Sequence, residues 1–163
     1  MDINALAVDY EASTQYVADI IGALSTVDLD KHQHGGWSPR QIIHHLADSE
    51  AQSYARLRRL IAEPAGSIIQ GYDEAAWANS EILGYTKLPI ENSIAVLLAV
   101  RAASLNIFKR LDESDLDRTG VHTDSGEYSI ATWINGYINH PRDHGNQIKE
   151  AISITELKSR PKE

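Results

Sequence analysis

Apolar residues recur along this chain with the period of an α-helix in four separate stretches. The first covers residues 6–24, the second residues 38–62, and the third opens at Pro89. The fourth is predicted to run over residues 130–154, at the end of the chain. Four amphipathic helices in a chain of 163 residues predict an all-α four-helix bundle. The long middle connections also allow a topology other than simple up-and-down.

Several local signals mark where these elements begin. Ser38 followed by Pro39 and Gln41 is typical of a helix start, since Ser38 can cap the helix and Gln41 can complete a capping box. Ser129 is the predicted cap of the last helix. A short extra helix is expected within residues 72–83, and Gly and Asp residues within residues 119–128 indicate a turn or small hairpin before the last helix.

Composition narrows the possible classes of protein. The length of 163 residues predicts a single domain spanning residues 1–163. A net charge of -8 argues against a nucleic-acid partner, and the basic cluster of Arg56, Arg58 and Arg59 is interpreted as a solvated helix flank. We find no basic leader and no uncharged run of membrane-spanning length, so we expect a cytoplasmic protein without membrane association.

The chain has no cysteine, so a metal site would have to use His, Asp or Glu. His140 and His144 are four residues apart on the last predicted helix, which places both side chains on one face. His144 lies near the centre of the apolar stripe of that helix and His140 at its edge. Imidazoles directed at a core need partners, and a shared metal ion would satisfy both. The alternative is a pair of core histidines hydrogen-bonded to Tyr, Asp or carbonyl groups.

A third ligand would have to come from another helix. His44 and His45 lie two turns into the second predicted helix, and neither is central on its apolar stripe. Periodicity therefore does not choose between them. His122 lies in the predicted hairpin and would approach such a site only if the hairpin folds over it.

The sequence resembles a known family in several segments. WSPRQIIHHLADSE (residues 37–50) looks like the first signature of the DinB-like superfamily, in its YfiT-like branch. His140 and His144, with Gln147 and Ile148, look like the second signature. Residues 68–78 (IIQGYDEAAWA) and the segment from Gly120 to Tyr128 are also similar to that branch. The resemblance extends over most of the chain in the correct order.

This resemblance implies a ligand set and a chemistry. It selects His45 over His44, so the implied metal site is His45, His140 and His144. The ion would be one divalent transition metal, zinc or nickel first, with iron or manganese as alternatives. Three histidines leave coordination positions open, as in catalytic sites. Members of the branch are described as metal-dependent hydrolases, in which activated water attacks a small-molecule substrate, and family members often form homodimers.

Two other functions remain open. Some members of the superfamily are transferases that use a low-molecular-weight thiol such as bacillithiol or mycothiol, and here the thiol would be a bound cosubstrate. The third hypothesis is a non-catalytic metal-binding or ligand-binding module.

Three further residues are candidates for catalysis. Glu50 interrupts an apolar stripe and could orient a ligand or act as a base, while a helix-flank position is the alternative. Asp48 could accept a hydrogen bond from an imidazole, or be exposed to solvent. Arg142 could bind an anionic cosubstrate, although its spacing from both histidines favours another face of the helix. Pro141 departs from the usual family pattern and is expected to kink the helix beside the ligands.

Overall fold

The computed structural model describes the backbone of residues 2–158 and the side chains of residues 2–153, so the ends of the predicted domain lie outside the described residues. The predicted four-helix bundle is confirmed, with a short extra helix and a small sheet. The helices are α1 (Ile3–Gly22), α2 (Pro39–Ala62), α3 (Glu74–Asn79), α4 (Glu91–Phe108) and α5 (Ile130–Lys158). The strands are β1 (Ile68–Ile69), β2 (Thr119–His122) and β3 (Gly126–Ser129).

The predicted helix caps are present at both ligand-bearing helices. At the start of α2 the backbone N–H of Gln41 donates to Ser38 Oγ at 3.3 Å, and the N–H of Ser38 donates to Gln41 Oε1 at 3.0 Å. At the start of α5 the N–H of Thr132 donates to Ser129 Oγ at 3.0 Å. These bonds satisfy backbone donors that the first helical turn leaves unpaired.

The four long helices are not arranged in sequence order. Each of α1 and α2 packs mainly against both α4 and α5. The helices that follow one another in sequence, α1 and α2, therefore lie diagonally across the bundle. The long connections on either side of α3 and before α5 allow this arrangement, in agreement with the expectation of a topology other than up-and-down.

The sheet connects the predicted hairpin to the segment between α2 and α3. β2 pairs antiparallel with β3, and β1 adds to β2 in parallel. β1 was absent from the sequence prediction, because two residues are too short to show alternation. Gly120 is required by the close approach of β1, since a Cβ there would lie 2.7 Å from the carbonyl oxygen of Ser67. The sheet thereby fixes the hairpin beside the bundle.

Among the described helices, α4 is the one long and apolar enough to cross a membrane by length and composition alone, with a mean hydropathy of 1.2. Helices of soluble bundles meet the same criterion. The longest apolar run of the sequence, Ile94 to Val100, lies in this helix and ends at Arg101, which is why the sequence predicted no membrane-spanning run.

Arg101 of α4 lies at the centre of the bundle, with 1% of its surface exposed. Its Nη1 donates to Glu50 Oε1 of α2 at 2.6 Å and to the carbonyl oxygen of Tyr137 in α5 at 3.0 Å. Its Nη2 donates to the carbonyl oxygen of Tyr10 in α1 at 3.0 Å and to Ser13 Oγ at 2.8 Å. One side chain therefore connects all four long helices.

Pro141 accounts for one of these bonds. In a regular helix the N–H of residue 141 would donate to the carbonyl of Tyr137, and proline has no N–H. Arg101 donates to that carbonyl instead. α5 continues through Pro141 rather than ending there. The kink expected at Pro141 stays a prediction.

We expect Arg101→Met to lower the free energy of unfolding by about 3–5 kcal/mol, because it leaves Glu50 as a buried carboxylate without its counter-charge. Urea denaturation monitored by circular dichroism measures the loss. Adding Glu50→Gln to Arg101→Met should recover part of the stability, since the amide carries no charge. Equal stability of the single and double variants would contradict this account.

Candidate metal centre

Three histidines from two helices converge inside the bundle. His45 Nε2 of α2 lies 3.2 Å from His140 Nε2 of α5, which in turn lies 3.1 Å from His144 Nε2 one turn further on. One ligand atom from each histidine lies within 4.8 Å of the other two. His45 is 1% exposed. The two faces predicted to carry ligands therefore meet at one point.

The hydrogen bond of His144 sets which of its nitrogens can bind a metal. His144 Nδ1 lies 2.8 Å from Gln147 Oε1, which can only accept, so Nδ1 carries the proton. The lone pair of Nε2 then points to the other two histidines. Within the described residues the Nδ1 atoms of His45 and His140 have no such partner. Gln147 is thus the side chain that orients a ligand of this group.

The surroundings keep the histidines neutral. Burial, together with the neighbouring His144, lowers the pKa of His45 to about 4. Burial, with His144 and His45, lowers the pKa of His140 to about 2. Burial also lowers the pKa of His144. Neutral imidazole is the form that binds metal ions.

The donor set fits a divalent transition metal. Nitrogen ligands at about 2.0–2.1 Å from a tetrahedral ion lie about 3.3–3.4 Å apart, close to the Nε2 separations of 3.1 and 3.2 Å. A cation between the three nitrogens would be bound by all of them at once when His45 and His140 present the lone pair of Nε2, as His144 does. Imidazole suits zinc, copper, iron and nickel rather than calcium or magnesium.

Comparison with known proteins places the chain in a family. The sequence profile of the DinB superfamily matches residues 9–148. The chain belongs to the DinB superfamily. Two proteins of Oceanobacillus iheyensis, OB0413 and OB0782, carry the provisional name of metal-dependent hydrolase. OB0413 is 31% identical to this chain, and the match covers 93% of this chain and 86% of OB0413. OB0782 is 35% identical, and the match covers 87% of this chain and 81% of OB0782.

Solved structures show the same fold. YfiT from Bacillus subtilis, described as a probable metal-dependent hydrolase with an unusual four-helix bundle topology, superposes with a TM-score of 0.84 at 23% identity. The match covers 94% of this DinB chain and 87% of YfiT. The four-helix bundle protein TT2238 superposes with a TM-score of 0.64 at 19% identity, over 91% and 99% of the two chains. At these identities the likeness concerns the fold.

His44, the alternative to His45, lies away from the group. Its Nδ1 is 2.8 Å from Ser93 Oγ, and its Nε2 is 3.2 Å from the carbonyl oxygen of Leu88. Both ring nitrogens are therefore engaged with the start of α4. His44 connects α2 to α4 in this DinB fold, and His45 alone of the two reaches α5.

The two carboxylates considered for catalysis have other partners. Glu50 is fully buried, as an inward position would require, but it pairs with Arg101 and not with a histidine of the group. Burial raises the pKa of Glu50, and Arg101 opposes that shift. Asp48 Oδ2 accepts a hydrogen bond from Tyr85 at 2.5 Å instead of orienting an imidazole. Neither carboxylate has a hydrogen bond to the three histidines among the described contacts.

Arg142, the third candidate for catalysis, has a partner on another helix. Its guanidinium pairs with Asp9 of α1, on the outside of the bundle. Positions two residues from a ligand lie on a different face of the helix, which is why Arg142 turns away from His140 and His144.

The cation near the site is Arg56, which the sequence prediction placed on a solvated flank. A cavity of about 220 Å³ opens beside His140, between α2, α5, the start of α3 and the hairpin. Arg56 and Glu74 line it, together with His122 from the hairpin. Arg56 was missed because its neighbours Arg58 and Arg59 share its charge. The hairpin brings His122 into the wall of the same cavity as His140, which is the approach to the site that the sequence left open for His122.

We expect His45→Ala, His140→Ala and His144→Ala each to abolish stoichiometric metal binding, because each removes one of three ligands. His44→Ala is the matched control and should keep its metal. The measurement is element-resolved metal analysis of protein purified without chelator and then dialysed against zinc. Full metal content in all three variants would refute the ligand set.

Gln147→Leu should weaken metal binding by about 10–100-fold, because the imidazole of His144 loses the acceptor that holds its Nδ1–H. Gln147→Glu should retain binding, since a carboxylate accepts the same bond. Competition against a chromophoric zinc chelator measures both affinities. Unchanged affinity in Gln147→Leu would show that Gln147 does not orient the ligand.

Proposed function

We propose that this protein is a metal-dependent hydrolase that acts on a small molecule. The observation that carries the proposal is the convergence of His45, His140 and His144 beside an open cavity, with His140 Nε2 at 3.2 Å from His45 Nε2 and 3.1 Å from His144 Nε2. The names of the relatives in Oceanobacillus iheyensis support the same chemistry. A site with three protein ligands leaves room for water and substrate, unlike a closed structural site.

We propose zinc or nickel as the ion, with iron and manganese as alternatives, because all three donors are neutral imidazole nitrogens. A divalent ion so held lowers the pKa of a water ligand and polarises the oxygen of an electrophile. His45 and His140 contribute no charge at neutral pH, since burial lowers the pKa of both. The charge of the ion is therefore not offset by its ligands.

The carboxylate best placed to accept a proton is Glu74. It lines the cavity together with His140, and its charge raises the pKa of His144, against the stronger effect of burial. Glu74 is exposed, so a proton taken from water can pass to solvent. Glu50 is excluded from this role by its buried pairing with Arg101. The aromatic side chains of Tyr72 and Tyr137 line the cavity.

Hydrolysis of an aryl ester is the direct test. We expect turnover by zinc-loaded protein and none by chelator-treated protein or His140→Ala. Glu74→Gln should lower kcat by about 10²–10⁴-fold, the usual contribution of a general base. Its metal content should not change. Glu81→Gln, an exposed change outside the cavity, is the matched control. Zinc-loaded protein without turnover on a panel of esters and amides would contradict the proposal.

A parallel assay separates the alternatives. Metal-loaded protein is incubated with an electrophile and a series of small thiols, including bacillithiol and mycothiol. Thiol-dependent turnover without hydrolysis would make the protein a thiol transferase, with the thiol as cosubstrate. Metal binding without turnover in either assay would leave a metal-binding module.

A further inference from the structure

Arg56 is a half-buried arginine whose charge has no carboxylate partner among the described residues. Five other arginines pair with acidic side chains. Arg56 instead donates to two neutral oxygens, the hydroxyl of Tyr137 at 3.2 Å and the carbonyl of Gln70 at 3.1 Å. Its Nε is buried and has no hydrogen-bond partner within the described part of the chain. A buried cationic donor of this kind is costly unless an acceptor reaches it.

Arg56 lies where a bound ligand could supply the missing acceptor. Arg56 lines the cavity that also contains His140 in its wall. Tyr137 connects the two, because its hydroxyl accepts from Arg56 and its ring centroid lies 6.2 Å from that of His140. A small molecule in the cavity can therefore reach Arg56 with one end and the histidine group with the other.

A second donor faces the same cavity from the hairpin. The backbone N–H of Asp124 donates to His122 Nδ1 at 3.2 Å, so the ring proton lies on Nε2. Burial and the nearby charge of Arg56 lower the pKa of His122, which keeps the imidazole neutral. His122 thus offers an N–H donor without adding a second positive charge.

The remaining charges limit the ligand to one negative charge. Glu74 and Asp124 also line the cavity, and both are exposed at its rim. They repel a dianion such as phosphate, while Arg56 compensates one negative charge inside. The cavity of about 220 Å³ is smaller than the roughly 300–1,000 Å³ of pockets for drug-sized ligands.

We propose that this cavity binds the carboxylate of a small monoanionic substrate through Arg56, assisted by His122, with the bond to be cleaved on the side of His140. This proposal rests on the hydrolase function for the identity of the ligand as a substrate. The carboxylate site itself requires only Arg56 and the cavity, so binding can be tested without turnover.

Benzoate and its neutral counterpart benzamide are suitable probes. Titration of metal-free protein, followed by NMR chemical shifts, avoids direct binding of the carboxylate to zinc. We expect benzoate to bind at least about tenfold more tightly than benzamide, the usual effect of a hydrogen bond to a charged group. Arg56→Gln should remove this preference, and Arg56→Lys should keep part of it. Arg58→Gln is the matched control, since Arg58 lies over the ring of Tyr54 and does not line the cavity.

Several outcomes would overturn the proposal. Equal affinity for benzoate and benzamide would do so, as would an unchanged preference in Arg56→Gln. Tighter binding of inorganic phosphate than of benzoate would exclude the monoanionic class. Thermal melting and zinc stoichiometry establish whether Arg56→Gln is folded. If Arg56→Gln does not fold, the benzoate preference of Arg56→Lys tests the proposal instead.

Turnover of two matched esters separates this proposal from the hydrolase function. The pair is 4-acetoxybenzoate and 4-acetoxybenzamide, with zinc-loaded protein. A lower KM for the anionic ester that disappears in Arg56→Gln supports both proposals. Selective benzoate binding without turnover of either ester supports the carboxylate site and contradicts the hydrolase. Equal turnover of both esters without selective binding of benzoate supports the hydrolase and contradicts the carboxylate site.

Discussion

The buried guanidinium of Arg101 is the interaction on which the rest of the bundle depends. It lies on α4 and donates to groups of α1, α2 and α5, so a shift of any of these helices relative to α4 would strain at least one of these bonds. Two of its partners are close in sequence to the metal-site histidines: Glu50 follows His45 on α2, and Tyr137 precedes His140 on α5. The bonds from Arg101 to Glu50 and to the carbonyl of Tyr137 therefore set the position of α2 and α5 along each other, and with it the position of their histidines. Pro141 adds to this dependence, since it leaves the carbonyl of Tyr137 without its helical donor and Arg101 donates to that carbonyl.

The bundle interior separates charged from neutral polar groups. Arg101 and Glu50 are both fully buried and neutralise one another at 2.6 Å. One turn further along α5, the histidine group has no acidic partner within hydrogen-bond distance among the described residues, and burial keeps His45 and His140 unprotonated. A carboxylate beside the histidine group, rather than beside Arg101, would raise the pKa of the imidazoles and add a competing metal ligand. The pairing of Glu50 with Arg101 thus preserves a purely nitrogen donor set.

Local signals allowed the helices, the caps at Ser38 and Ser129 and the His140–His144 pair to be predicted, because each depends on residues within one or two turns. The choice between His44 and His45 could not be made from periodicity, since both are buried and differ only in which helix they face. Arg101 and Glu50 each interrupt an apolar stripe, and opposite charges in two such positions are a signal for pairing. Only the tertiary structure identifies the pair. The place of Arg56 in the cavity was not predicted, because its charged neighbours Arg58 and Arg59 indicated a solvated flank. β1 was not predicted, because it has only two residues.

The ligand set and Arg56 together determine what the proposed site favours. Neutral histidines leave the charge of a divalent ion undiminished, so a substrate that carries electron density toward the ion is stabilised there. Arg56 favours a second negative group on the opposite side of the same cavity, while Glu74 and Asp124 at the rim oppose a higher charge. Selectivity would then come from charge placement along the cavity rather than from close packing, since the walls of Tyr72, Tyr128 and Tyr137 are flat and aromatic. Such a site discriminates strongly against neutral analogues, because they leave the half-buried guanidinium without an anionic partner.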